Sequence, residues 1–261
     1  FDTAKTIDVT DAANKAQVLG ILDAFLENKV STDIKNEYAQ LSDKARYERA
    51  QLLVRVLPWA EKAGQLTGIN PWIIVGIMQQ ESRFSTSIIT SSAQNWRRQQ
   101  AAGTADANWP QNIMQIKPGT ADGANTYLGK ILGENSGYYS QADMETYFRA
   151  EGGALSPGQD TITEMNVLLA AAEMKRLVDT WQGLKDKNGQ PIDEGMATVV
   201  ALASYNLGQG KVAAIIDRHE SKNGDYMDAL VEIKNMPTPN QSGVSPGIYA
   251  GNVAGLYVPT F

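Results

Sequence analysis

The chain has no cysteine and a single histidine. The first absence excludes a disulfide framework, a thiolate metal site, a cysteine nucleophile and an acylated cysteine within this segment, and it leaves the redox compartment open. The second excludes HExxH and multi-histidine metal centres, so that a Ser-His-Asp triad must use His219. His219 stands in the stretch IIDRHES, which reads as an exposed helix end, a poor setting for a catalytic base. Long apolar runs are missing as well: the longest spans a few residues, far below the roughly 20 that a membrane helix needs. Positive charge is not in excess. A net charge of −6 argues against nucleic acid, whose partners usually present a basic patch or stripe. Arg97-Arg98 and the pair Lys185 and Lys187 are too short to reverse that and read as solvated faces. Nothing in the residues implies a metal or a cofactor.

What is present is an ordinary globular composition: 43% apolar and 20% charged residues, with Gly and Pro at 23 and 10, near average usage. A chain of 261 residues can bury a sizeable core, and one main domain is expected. Opening at Phe1 fits either removal of a leader or a start inside a longer protein.

The organising stretch is Asn70 to Phe84, NPWIIVGIMQQESRF. Asn70 suits an N-cap and Pro71 the first helical position, where a missing N–H loses no partner. Ile74, Ile77, Met78 and Glu81 follow i, i+3, i+4, i+7 and so share one face. A carboxyl on that face is partly dehydrated and can keep its proton for donation to a leaving group. Glu81 is therefore the candidate catalytic acid and base. The plainer alternative is a glutamate past the buried turns, at a frayed end in water.

Around this stretch the pattern is helical, and no alternating strand is convincing. Helices are expected over Asp11–Asn28 and Ile34–Leu57, forming an N-terminal segment. Pro58 should break the second of these, with a short helix from Trp59 to Leu66. From Ser85 to Pro110 the sequence is polar and rich in small residues, which reads as a long loop carrying Trp96 and Trp109. Further helices are expected over Thr120–Leu132, Gln141–Ala150, Thr161–Trp181 behind a capping box, Gly195–Leu207 and Lys211–Arg218. Residues 133–158 read as a mobile excursion, and 237–261 as an ordered strap.

Three blocks, in order, resemble the soluble lytic transglycosylases. They are Glu81-Ser82 with Phe84; Asn112-Ile113-Met114-Gln115-Ile116 followed by Pro118-Gly119-Thr120-Ala121; and Ser204-Tyr205-Asn206-Leu207-Gly208 with Gly210. A weaker fourth block runs from Asn166 to Leu177. Each is common alone, and their order gives the resemblance its weight. It covers about Pro58 to Tyr257 and implies a mainly α, lysozyme-like domain of the goose type. The expected organisation is thus an added helical segment at 1–57 and a catalytic domain at 58–261, with insertions near 94–110 and 133–158. The chain departs from the family where Asn112 replaces Gly, Ala170 replaces Gly and Glu173 replaces Tyr.

The resemblance implies cleavage of peptidoglycan strands between N-acetylmuramic acid and N-acetylglucosamine, with a 1,6-anhydro sugar as product. Glu81 would serve as acid and then base, and the substrate's own acetamido group would assist. Thr90 or Ser91, Met114, Gln115, Tyr205 and Asn206 would contact substrate. Trp96 and Trp109 are equally readable as sugar-stacking rings or as pins of their own loop. Goose-type lysozymes, which hydrolyse, carry an Asp where this chain has Lys117. A hydrolytic muramidase using Asp106 is the alternative within enzymes, and a weakly active wall-binding component the alternative outside them. The partner is glycan, with any cell-wall machinery partner unspecified, and the expected location is a periplasm or wall, reached by export or by phage delivery.

Overall fold

The computed structural model describes residues 2–102, 112–149, 160–185, 189–220 and 226–236. The chain forms two compact units, Phe1–Glu173 and Met174–Phe261. Both are helical, as the sequence predicts. Among the described residues the only β-type pairing is an isolated bridge between Lys185 and Pro191, and no helix is long and apolar enough to cross a membrane.

The first unit begins with a single turn, α1 (Asp2–Lys5), and a 3-10 turn capped by Asp11. Next come α2 (Lys15–Lys29), α3 (Thr32–Ala39) and α4 (Asp43–Thr67). Helix α4 is the central rod, packed against α1, α2 and the next helix, α5 (Pro71–Ser82). Leu52, Leu53, Val54, Val56 and Leu57 are all buried along it, so neighbours enclose it on more than one side. Gly68, at φ +76°, ends α4 in the left-handed conformation that favours glycine.

The break expected at Pro58 is absent: α4 runs straight through it. A mid-helix proline costs roughly 3 kcal/mol, and burying several large aliphatic side chains at roughly 1.5–3 kcal/mol each outweighs that. The interruption lies earlier, at Gln40–Ser42, where the Ser42 hydroxyl caps α4 by accepting from the Ala45 N–H (3.3 Å). The anticipated boundary at 57/58 therefore falls inside a continuous helix.

Helix α5 carries the organising stretch. The Asn70 side chain accepts from the Trp72 N–H at 3.0 Å and Pro71 opens the helix. Every residue from Ile73 to Gln79 is buried, so α5 is enclosed all round rather than along one stripe.

A second correction follows α5. Thr86–Ala101 is a helix, α6, not a loop. Ser85 starts it, its hydroxyl accepting from Ile88 N–H (3.4 Å), and Ile89 is its buried anchor. The segment shows no apolar period, yet its Ala, Gln and Arg residues are good helix formers. Residues 103–111, with Asp106 and Trp109, lie outside the described residues.

Helices α7 (Pro118–Ile131), α8 (Gln141–Arg149) and α9 (Asp160–Trp181) follow. The stretch Gly133–Ser140, read as mobile, is clipped onto α7. Asn125 accepts from Tyr139 N–H (2.7 Å) and donates to its carbonyl (3.0 Å). Tyr138 N–H donates to the Asn125 carbonyl (3.2 Å). Gly129 is required here, since a Cβ would lie 1.9 Å from the Ser136 carbonyl oxygen. Ser140 and Asp143 then cap α8 reciprocally. A cleft of about 340 Å³ remains between α7 and this loop, lined by Asp122 and Tyr139 among others. Residues 150–159 lie outside the described residues.

The division between units falls within α9. The second unit then holds α10 (Glu194–Leu207), α11 (Gln209–Glu220) and α12 (Tyr226–Asn235), with α11 packed on both its neighbours. The sequence reading leaves α12 out, although Ala229 and Ile233, one turn apart, are its buried face. His219 ends α11 in a structural pair with Glu232 of α12 (2.8 Å), a carboxylate that Arg218 also engages. The strap at 237–261 lies outside the described residues.

Candidate functional site

Glu81 occupies the last turn of α5 and is half-buried, while Ile74, Ile77 and Met78 on its face are fully buried. Burial of the helix therefore reaches the carboxyl only in part. Directly after it the chain does something unusual. Arg83 and Phe84 both adopt left-handed backbone, at φ 53° and 50°. Neither is glycine, and each such residue costs about 1–2 kcal/mol. Two sets of contacts hold the turn. Phe84 is completely buried and meets Phe25 edge-on, ring centroids 5.9 Å apart. On the other side Tyr38 of α3, also fully buried, donates its hydroxyl to Gln79 Oε1 (2.7 Å), and the Arg83 carbonyl lies 3.1 Å from the same hydroxyl. Burial pushes the Tyr38 phenol well above its ordinary range, against the pull of the Arg49 charge.

The 112–116 turn is built by the same means. Asn112 and Gln115 have φ of 63° and 48°. Asn tolerates this region better than most residues, which accounts physically for an Asn where the resembled family has Gly. Asn112 also holds itself in place: its Oδ1 accepts from Ile113 N–H at 2.7 Å. Met114 is fully buried and is held by its backbone, its N–H donating to Asn166 Oδ1 (2.9 Å). Asn166 Nδ2 in turn donates to the Tyr147 hydroxyl (2.7 Å), and both residues are buried. Gln115 is half-buried, and its amide donates to the Asn112 carbonyl.

The remaining candidates fall as follows. Thr90 and Ser91 are exposed on α6, the Ser91 hydroxyl donating to Ile88 carbonyl (3.0 Å). Trp96 lies on α6, its side chain outside the described residues, as is the whole of Trp109. Trp72 on α5 is half-buried, stacked near Phe25 (6.3 Å) and beneath the Lys29 ammonium (5.4 Å). Tyr205 and Asn206 belong to the second unit, half-buried on the last turn of α10, one turn beyond the fully buried Leu202. There Trp181 Nε1 donates to Ser204 Oγ (2.9 Å), fixing that turn against α9.

Sequence reasoning missed Tyr38, Glu37 and Asn166 as supports of these turns. Tyr38 sits 41 residues before its partner Gln79, and no local pattern reports such a pair. Asn166 did carry a signal, as the first residue of the weakest matching block. No protein-family model matches this chain, and no curated protein matches it.

Proposed function

We propose that this chain is a peptidoglycan lytic transglycosylase, with Glu81 as its single acid and base and a goose-type lysozyme-like arrangement of its helices. The observation that carries the reading is the setting of Glu81. It lies half-buried at the end of an enclosed helix, followed by a left-handed turn that the buried Phe84 and Tyr38 help to hold. Strain held at one carboxylate is commonest where position matters chemically. In the reaction, Glu81 gives its proton to the glycosidic oxygen as the bond from that oxygen to C1 breaks, and the acetamido group stabilises the cationic carbon. The Glu81 carboxylate then takes the proton of the 6-hydroxyl as O6 bonds to C1. The acid is regenerated and no water is consumed.

The non-hydrolytic outcome has separate support. The 112–117 turn, Asn-Ile-Met-Gln-Ile-Lys, offers no carboxylate to activate water, and Lys117 is exposed at the N-cap of α7. Thr90, Ser91, Gln115, Tyr205 and Asn206 remain the proposed substrate contacts, with Trp96 and Trp109 as proposed stacking rings. Met114 would act through packing behind Gln115. Such a substrate implies action outside the cytoplasmic membrane.

Digestion of purified peptidoglycan, with mass spectrometry of the muramic-acid ends, tests this. The expected end is lighter than a reducing end by one water, and Glu81→Gln should abolish cleavage while sparing glycan binding. A reducing end would replace the reading with hydrolysis. Binding without cleavage by the unaltered chain would replace it with a wall-binding role.

A further inference from the structure

The contacts of α3 point to a function for the N-terminal segment. Gln79 and Arg83 are the two ends of the helical turn that contains Glu81, and Arg83 N–H already donates to the Gln79 carbonyl (3.0 Å). The Tyr38 hydroxyl reaches both ends, donating to the Gln79 side chain at 2.7 Å and standing 3.1 Å from the Arg83 carbonyl. Its neighbour Glu37 holds the same turn from outside. One carboxylate oxygen meets Arg83 (3.1 Å) and the other meets Arg49 of α4 (3.1 Å). Arg49 closes the cluster by lying over the Tyr38 ring, 5.0 Å from its centroid. Within the turn, Ser82 Oγ donates to the Met78 carbonyl (2.9 Å).

We infer that Tyr38 and Glu37 are positioning residues for Glu81, clamping the turn that aims its carboxyl, so that the N-terminal segment is part of the working site and not an appended cap. The inference rests on the reading of Glu81 as the acid. Its chemistry is that of pre-organisation. A reacting group misplaced by about 1 Å can lose on the order of a hundredfold in rate, and a left-handed turn of two non-glycine residues would otherwise relax. Tyr38 suits the role because burial keeps its phenol protonated, hence a donor, throughout the working pH range. Arg49 and Glu37, charged and beside it, fix the ring from the partly exposed side.

The experiment uses the full chain and three variants. Tyr38→Phe keeps the ring and removes the hydroxyl. Glu37→Gln removes the charge that joins the two arginines. Lys35→Gln, on the same helix but bonded to the Glu27 carbonyl instead, serves as the control. Each is assayed on a defined glycan strand, and the Glu81 carboxyl is titrated by carbon NMR. For Tyr38→Phe the expected result is a kcat lower by about tenfold to a hundredfold. KM should stay within about twofold, since only the placement of the acid changes. The Glu81 titration midpoint should move away from that of the unaltered chain. Glu37→Gln should move kcat and midpoint in the same sense by less, and Lys35→Gln should move neither.

A folded Tyr38→Phe variant with unaltered kcat and unaltered Glu81 titration overturns the inference, even where Glu81→Gln is inactive. If Glu81→Gln cleaves as well as the unaltered chain, the catalytic reading fails instead. The carboxyl titration then still reports whether the clamp aims Glu81.

Discussion

Asn166 offers the sharpest test of how the 112–116 turn is held. Two of its side-chain bonds run in opposite directions, accepting from Met114 N–H (2.9 Å) and donating to the Tyr147 hydroxyl (2.7 Å). All three residues are buried, with Asn166 and Met114 at 0% exposure and Tyr147 at 2%. Water cannot take over either bond without opening the structure. Replacing Asn166 by Ala removes a bond from each of two buried groups, the Met114 N–H and the Tyr147 hydroxyl, and each such loss costs about 1–3 kcal/mol. The sum, about 2–6 kcal/mol, is a large part of the 5–15 kcal/mol that typically separates folded from unfolded chains. Burial already pushes the Tyr147 phenol upward, with the Asn166 bond opposing that rise, so losing the bond should push it further. Tyr147→Phe removes the hydroxyl that Asn166 bonds while leaving Met114 N–H its partner, and should cost about 1–3 kcal/mol. The two changes share a partner, so their effects should not add.

Urea denaturation of the two single variants, their double variant and the unaltered chain measures this, with a lower midpoint at constant slope as the expected sign. Glycan cleavage should fall with Asn166→Ala in excess of any loss of folded protein, because Gln115 shares the turn that Asn166 holds. A loss below about 1 kcal/mol would refute the reasoning, since it is less than one stranded buried group costs.

Gly129→Ala would set a Cβ 1.9 Å from the Ser136 carbonyl oxygen, where backbone rather than a flexible side chain must yield. A loss of about 1–3 kcal/mol is expected, with faster hydrogen exchange at the Tyr138 and Tyr139 amides that Asn125 holds; protection equal to the unaltered chain would show the loop held otherwise. Partial desolvation beside the α7 cleft raises the pKa of Asp122, a residue that stays exposed, above its ordinary 3.8, so ionisation there weakly disfavours the folded state. Its contribution is whole below the unfolded value and is lost as pH rises through the folded one. Asp122→Asn should therefore raise the melting temperature at neutral pH and leave it unchanged well below pH 3.8, a difference that thermal melts across pH would record or deny.

How much of this was legible in the sequence depended on range. Helix α5 was readable because its determinants are local: the Asn70 cap, Pro71 at the first position and an apolar run ending at Glu81. Helices α7 to α11 were placed within a few residues for the same reason. Helix α4 was misread because the proline rule is local and the enclosure that overrides it is not. Helix α6 is not legible in the sequence because its apolar residues are few, Ile88, Ile89 and Trp96 among polar and small ones, and so few make no period. Residues near 94–110 and at 150–158 remain an expectation only, since most lie outside the described residues.

The candidate site divides along the same line. Glu81, Gln115, Tyr205 and Asn206 stood out as residue types in blocks, which is a property of sequence. What holds two of those blocks in shape did not stand out. Tyr38 meets Gln79 across 41 positions and Asn166 meets Met114 across 52, and in each case the far partner supports a turn with positive φ at residues that are not glycine. The sequence could have flagged those turns only through glycine, and this chain uses Asn112, Gln115, Arg83 and Phe84 instead. A turn that glycine does not relax has to be held by distant contacts. In this chain those contacts come from Tyr38 in the N-terminal helices and from Asn166 in α9, which in turn bonds Tyr147 of the α8 segment that looked peripheral. Parts that resembled additions are thus among those on which the geometry of Glu81 and Gln115 depends.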